Sequence, residues 1–197
     1  MRLHYRLLIV AITLLLSGCL GVSTNNQVPA PTSLVNEESW RTQRITFPSV
    51  TVYDLEGEVH SFPQEFKGYH TLMLIAFKHE QQALLNPWLV GTVGLAKEFP
   101  KFKVVEMPTI ERSSAAFRAM VNNGMRSGIS EEDARRRTMT LYVNKREFLE
   151  SIGIKDEGKV YALLVNEHGV IVWRRDGDYS QTLLDELRQY LTAASVS

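Results

Sequence analysis

YHTLMLIAFKHEQQALLNPW, Tyr69 to Trp88, is the stretch from which the rest of this chain is read. Thr71 to Phe77 is almost wholly apolar, seven residues long, and ends at the polar break Lys78-His79-Glu80. That length and bulk predict a strand buried on both faces in the middle of an α/β sheet. Leu84, Leu85, Trp88, Leu89, Leu95 or Ala96, and Phe99 then recur at three- and four-residue steps, the stripe of an amphipathic helix. A buried strand running straight into a helix puts their connecting loop at the carboxyl edge of the sheet. Open α/β sheets build their sites there.

Upstream, Val50 to Tyr53, the turn Glu56-Gly57, and Val59 to Phe62 read as a β-hairpin. Phe47-Pro48 and Phe62-Pro63 bracket it, and Lys67-Gly68 turns the chain into the central strand. Downstream, Phe102 to Met107 predicts a second strand ending at Pro108. Ser113 or Ser114 then caps a helix that ends near Asn123-Gly124. Ser130-Glu131-Glu132-Asp133 resembles a capping box opening a short helix to Arg137, with Arg135, Arg136 and Arg137 paired to the acidic run. Met139 to Val143 reads as a short strand and Lys145 to Ile152 as a helix stopped by Gly153. Val160 to Val165 and Val170 to Trp173 form a hairpin about Asn166-Glu167-His168-Gly169. Tyr179 to Ala193 closes the chain as a helix with Leu183, Leu184, Leu187 and Leu191 on one side. Trp88 and Trp173 read as core or rim aromatics.

The amino terminus is of another kind. Arg2, His4 and Arg6 precede an apolar run from Leu7 to Leu16, a secretory leader too short for a stable membrane span. Leu16-Ser17-Gly18-Cys19 resembles a bacterial lipobox, which gives a signal peptide over 1–18 and a lipid on Cys19. Each buried acyl methylene contributes about 0.8 kcal/mol, so more than one chain on Cys19 would hold the protein firmly at a membrane. Leu20, where an Asp would resemble an inner-membrane retention signal, favours the outer membrane, on its periplasmic side. Residues 19–39 are rich in Ser, Thr, Asn and Gln and read as a tether spanning roughly 25 Å. Residues 40–197 then make a single domain, large enough to bury a proper core.

Without the leader, which takes Arg2 and Arg6, Lys+Arg falls from 22 to 20 against 22 Asp+Glu, a net charge of −2. There is no basic surplus for a nucleic-acid partner. Cys19 is the only cysteine, so the domain has neither a disulfide nor a cysteine metal cluster. His60, His70 and His168 are scattered singly, without metal-ligand spacing, and no glycine set forms a phosphate loop. Neither a metal nor a cofactor is expected.

Strand, helix, strand, helix, hairpin, helix is the thioredoxin order. The fold class is therefore α/β, thioredoxin-like, a central mixed sheet flanked by helices with an N-terminal β-hairpin extension. In that superfamily the strand-to-helix junction carries a reactive Cys-x-x-Cys. Alignment on Phe77 puts Gln82 and Leu85 at those two positions, and neither can form a thiolate. The place of the thioredoxin cis-proline falls at Val160, after Lys159, where a cis bond would cost about 2.5–4 kcal/mol, so a trans bond is expected.

Several short motifs in fixed order narrow the resemblance. These are Phe47-Pro48, Leu55-x-Gly57 with Phe62-Pro63, Thr71-Leu72 with Phe77, Gln82 and Trp88, and Glu106-x-Pro108. Leu149-x-x-x-Gly153-Ile154, Tyr161-x-Leu163-x-Val165 and Gly169-x-Ile171-x-Trp173 follow. Together, from about Phe47 to Leu191, they resemble a cysteine-poor branch of the superfamily, the mitochondrial assembly factors that help build the membrane sector of ATP synthase. Those factors work from the matrix side, whereas the leader directs this chain outward.

The lipobox, the missing thiols and the resemblance together predict a membrane-anchored, redox-inactive lipoprotein of the cell envelope, non-catalytic, acting as a protein-binding or assembly factor. Its partners would be a protein client and, through Cys19, the membrane. The expected binding face joins His79, Glu80, Gln81, Gln82 and Leu85 to Lys159 and Val160 of the facing loop. A second reading makes His79 and Glu80 an acid–base pair, in an enzyme or a degenerate peroxiredoxin or thiol-redox relative. No nucleophile or orienting partner accompanies that pair in the sequence.

Overall fold

The computed structural model describes residues 44–196, so the leader, Cys19 and the whole tether lie outside the described residues. The apolar run after Tyr69 becomes β3 (His70–Ala76), with six of its seven residues buried. Around it β1 (Val50–Asp54), β2 (Val59–Phe62), β4 (Phe102–Glu111), β5 (Met139–Val143), β6 (Tyr161–Val165) and β7 (Ile171–Asp176) complete one sheet. The strand order is β2-β1-β5-β4-β3-β6-β7. β3 with β4 and β4 with β5 are parallel, and every other pair is antiparallel, which makes the sheet mixed.

Side chains along β3 alternate between two cores, as a pleated strand requires. Met73 and Ile75 join Phe47, Phe62, Phe66, Met107 and Phe148 on one face. Leu72 and Leu74 join Leu85, Trp88, Trp173 and Leu187 on the other. The second core is roofed by α1 (Gln82–Glu98) and the last helix, α5 (Gln181–Ser195); α4 (Lys145–Ser151) covers the first. Trp88 and Trp173 meet edge to face, 6.3 Å between ring centres, so both are core residues. The remaining helices are α2 (Ala115–Gly128) and α3 (Glu132–Arg137).

Several elements depart from expectation. β4 does not stop at Pro108 but runs to Glu111. Phe102 to Pro108 pairs with β3, and Thr109 to Glu111 pairs with β5. Pro108 therefore falls where the strand changes partner, a place that tolerates a missing N–H. α2 continues past Asn123-Gly124, begins at a Ser114 cap that accepts from Phe117 N, and has no buried residue. It is held through Tyr142, whose ring lies 5.9 Å from the Arg118 guanidinium and whose hydroxyl donates to Asn122 at 2.8 Å. α3 starts from Glu131 without a side-chain cap, so the capping box does not form. Of its three arginines, Arg136 pairs with Glu132 within the helix, whereas Arg135 reaches Glu56 and Arg137 reaches Glu106. Leu84, one turn before Trp88 on the same stripe, is 37% exposed and is not packed as Trp88 is.

α1 and α2 lie on the same face of the sheet. Glu106 meets α1 through Gln82, and alternation along β4 places Ile110 on the same side. Ile110 is in register with Tyr142, the residue that holds α2. Consecutive parallel strands with right-handed crossovers require this arrangement. No described helix is long and apolar enough to cross a membrane.

Candidate functional site

β3 ends at Ala76, and the chain crosses the carboxyl edge of the sheet through Phe77, Lys78 and a 3₁₀ turn, His79–Gln81, that runs directly into α1. Gln81 is the anchor of this loop and is 4% exposed. Its Oε1 accepts from the backbone N–H of Phe77 at 2.7 Å and of Lys78 at 3.1 Å. Its Nε2 donates to the carbonyls of Glu157 at 2.8 Å and Lys159 at 3.3 Å. One amide thus ties the strand-to-helix loop to the loop that enters β6. Every hydrogen-bonding atom of the side chain is engaged.

Beside it, Gln82 donates from Nε2 to Glu106 Oε2 at 2.9 Å, and Arg137 Nε donates to Glu106 Oε1 at 3.2 Å. Glu106 is 3% exposed, so its charge is compensated by these two donors inside the protein. An ionised carboxylate only accepts, which fixes the Gln82 amide with its carbonyl oxygen directed away from Glu106. Neither Glu106 nor Arg137 was marked as a site residue by the sequence; Glu106-x-Pro108 signalled only a strand end.

The facing loop is pinned at several points. Lys145 pairs with Glu157 at 2.5 Å, Gly158 N donates to Asp156 Oδ1 at 2.7 Å, and the Tyr161 hydroxyl donates to Asp156 O at 2.9 Å. Burial pushes the Tyr161 hydroxyl pKa up. Lys159 pairs with Asp176 at 2.6 Å, and that hydrogen bond holds its ammonium pKa above the usual lysine value. The Lys159–Val160 bond is trans; the one cis bond among the described residues joins Phe62 to Pro63.

The seven expected binding residues separate into two groups. His79 and Glu80 are exposed, Gln82 is half-buried at the helix start, and Lys159 is exposed beside the facing loop. These four reach the surface at one edge. Leu85 and Val160 are fully enclosed in the second core, and Gln81 is internal, so none of the three presents its side chain to a docked molecule. The reason is register. The strand ends one residue before Phe77, so the first turn at the sheet edge is His79 to Gln82, and Leu85 lies a turn deeper, where helix meets sheet.

The side chains of His79 and Glu80 make no hydrogen bond or ion pair with any described residue, nor with each other. A general base is ordinarily oriented by a partner, and neither has one here. Among the described residues no group of three or more His, Cys, Asp or Glu is placed to hold a metal ion. The arrangement offers hydrogen-bonding groups and small apolar surface at a fixed edge.

No protein-family model matches the chain, and no curated protein matches it. Solved structures do. A thiol:disulfide interchange protein from a Bacteroides species superposes with a TM-score of 0.54 at 20% identity, over 77% of this chain and 91% of that one. The exposed lipoprotein thioredoxin of Streptococcus pneumoniae gives 0.51 at 15% identity, over 74% and 99%. A member of the Sco family of cytochrome c oxidase assembly proteins gives 0.51 at 15% identity, over 78% and 95%. The chain has the thioredoxin-like fold of the thiol-disulfide oxidoreductases. At these identities the likeness shows the fold alone.

Proposed function

We propose that this protein is a redox-inactive, thioredoxin-fold lipoprotein that holds a protein client at the bacterial cell envelope. The observation that carries the reading is Gln81. At the loop where thioredoxins carry reactive thiols, this chain places an amide whose four hydrogen bonds bind the two loops together. A site braced in this way presents a fixed surface. The exposed side chains His79, Glu80 and Lys159, with the half-buried Gln82, suit recognition of main-chain and polar groups.

Anchoring would come from a lipid on Cys19, with the outer membrane favoured. A lipoprotein thioredoxin and an assembly protein both occur among the structures that share this fold, which supports the combination. The motif resemblance to the ATP-synthase assembly factors supports an assembly role, with a client that meets the chain outside the cytoplasm.

A photocrosslinking residue at His79, introduced in cells, tests this. A discrete adduct is expected from position 79 and little from position 188, where Arg188 is engaged with Glu98 and Asp185 on α5. Equal yields from the two positions, or none from either, would remove the client-docking edge.

A further inference from the structure

β7 is the last strand of the sheet, and its outer edge is covered only at its start. There Thr46 bridges Val170 in antiparallel sense, Phe47 N donates to Gly169 O at 2.8 Å, and Ile171 N donates to Ile45 O at 2.9 Å. Traced backward from Ile45, the chain is thus headed along β7 toward Asp176. Apart from β6, the main chain from Val172 to Asp176 has no main-chain partner among the described residues.

An exposed strand edge is ordinarily blunted by charged side chains or covered by other chain. The two arginines of β7 do not guard it. Arg174 Nη1 donates to Ile152 O at 3.2 Å and Arg175 pairs with Glu186 at 2.6 Å, so each is drawn onto a face of the sheet. A cavity of about 910 Å³ follows the same edge between β7 and α5, with Arg44, Trp173, Glu186 and Tyr190 in its lining. Trp173 is 6% exposed, and its indole N–H is buried without an acceptor among the described residues. Buried donors are ordinarily paired, so this one points to a neighbour beyond those residues.

The sequence just before Arg44 suits that edge. Trp40-Arg41-Thr42-Gln43 lies within a stretch free of proline, between Pro31 and Pro48, and Trp and Thr favour extended chain. In the Thr46–Val170 register, these four residues reach from Trp173 to Asp176, the end of β7. Ile45 packs against the first core, whereas Arg44 lines the cavity on the α5 side. Thr42 and Trp40 share the parity of Arg44, which assigns them to the cavity side of an extended chain.

We propose that Trp40 to Gln43 add to the outer edge of β7 as an eighth, antiparallel strand, with the Trp40 indole over the cavity between β7 and α5. This chain already enters the edge at Ile45 and Thr46, so its next four residues reach the rest without an encounter with a second molecule. The pairing covers the exposed edge and starts the tether at the far end of β7. It requires neither a lipid on Cys19 nor a client at His79, so its failure leaves both of those readings standing.

The test is residue-resolved amide hydrogen exchange on the chain from Leu20 onward, which lacks the leader and Cys19 and keeps every described element. Phe47 N and Ile45 O face β7, so odd-numbered residues carry the ladder. The N–H groups of Arg41 and Gln43 should exchange about tenfold or more slowly than that of Thr42. Gln43→Pro removes a ladder donor and should bring Arg41 to the unprotected rate. Thr42→Pro removes an outward N–H and should leave Arg41 and Gln43 protected. Exchange in β3 should be the same in both variants as in wild type, which shows the fold intact. Equal exchange at Arg41, Thr42 and Gln43, or full protection of Arg41 in Gln43→Pro, would overturn the proposal. So would protection that appears only as the chain dimerises, since a second copy would then hold the edge.

Discussion

Gln81 is polar by type yet sits inside the protein because its whole hydrogen-bonding capacity is used. Two of its partners are backbone N–H groups four and three residues behind it, and two are carbonyls across the site. Gln81→Leu should destabilise the fold by about 2–4 kcal/mol, since it leaves buried main-chain donors and acceptors without partners. Gln82→Ala should cost only about 1 kcal/mol, because Arg137 still serves Glu106. Urea midpoints at constant slope would show the difference; a Gln81→Leu variant within 0.5 kcal/mol of wild type would contradict the bracing role. None of this was legible in Gln81 alone. Its carbonyl partners are 76 and 78 residues away, and a polar residue beside an exposed loop reads as exposed until the second loop is in place.

At the scale of elements, periodicity served wherever one element buries one face. β3, the β1–β2 hairpin, the β6–β7 hairpin and α5 were all readable from apolar spacing and turn residues. The turn before β7 was specified locally: Asn166 Oδ1 accepts from the N–H groups of His168 and Val170, and Gly169 takes φ +77. Two things were not readable. β5 lies between β1 and β4, a pairing fixed by residues far apart in sequence, and Pro108 read as a stop because its neighbours were unknown. The strand also ends at Ala76, one residue short of Phe77, since an apolar Phe77 reads as strand whether or not the ladder extends to it. The first turn can be tested by paired cysteines. His79→Cys with Gln82→Cys should close a disulfide under mild oxidation, read as a loss of two mass units. Gln82→Cys with Leu85→Cys should stay reduced, because position 85 is wholly enclosed. The opposite result would restore the deeper register.

At the scale of the molecule, a seven-stranded sheet with two separate cores leaves its carboxyl edge exposed. The carboxyl edge, with His79, Glu80, Gln82 and Lys159, is fixed by internal hydrogen bonds and suits a client. The sequence showed the fold class through its element order, and its single cysteine at position 19 is what the proposed loss of thiol chemistry rests on. It did not show that α1 and α2 share a side of the sheet, because that follows only once the crossovers are set. The central claim is that this thioredoxin fold holds rather than reacts. Insulin reduction by the chain from Leu20 onward, supplied with dithiothreitol, tests that most directly. The account predicts a rate equal to the protein-free blank; turnover above that blank would contradict it.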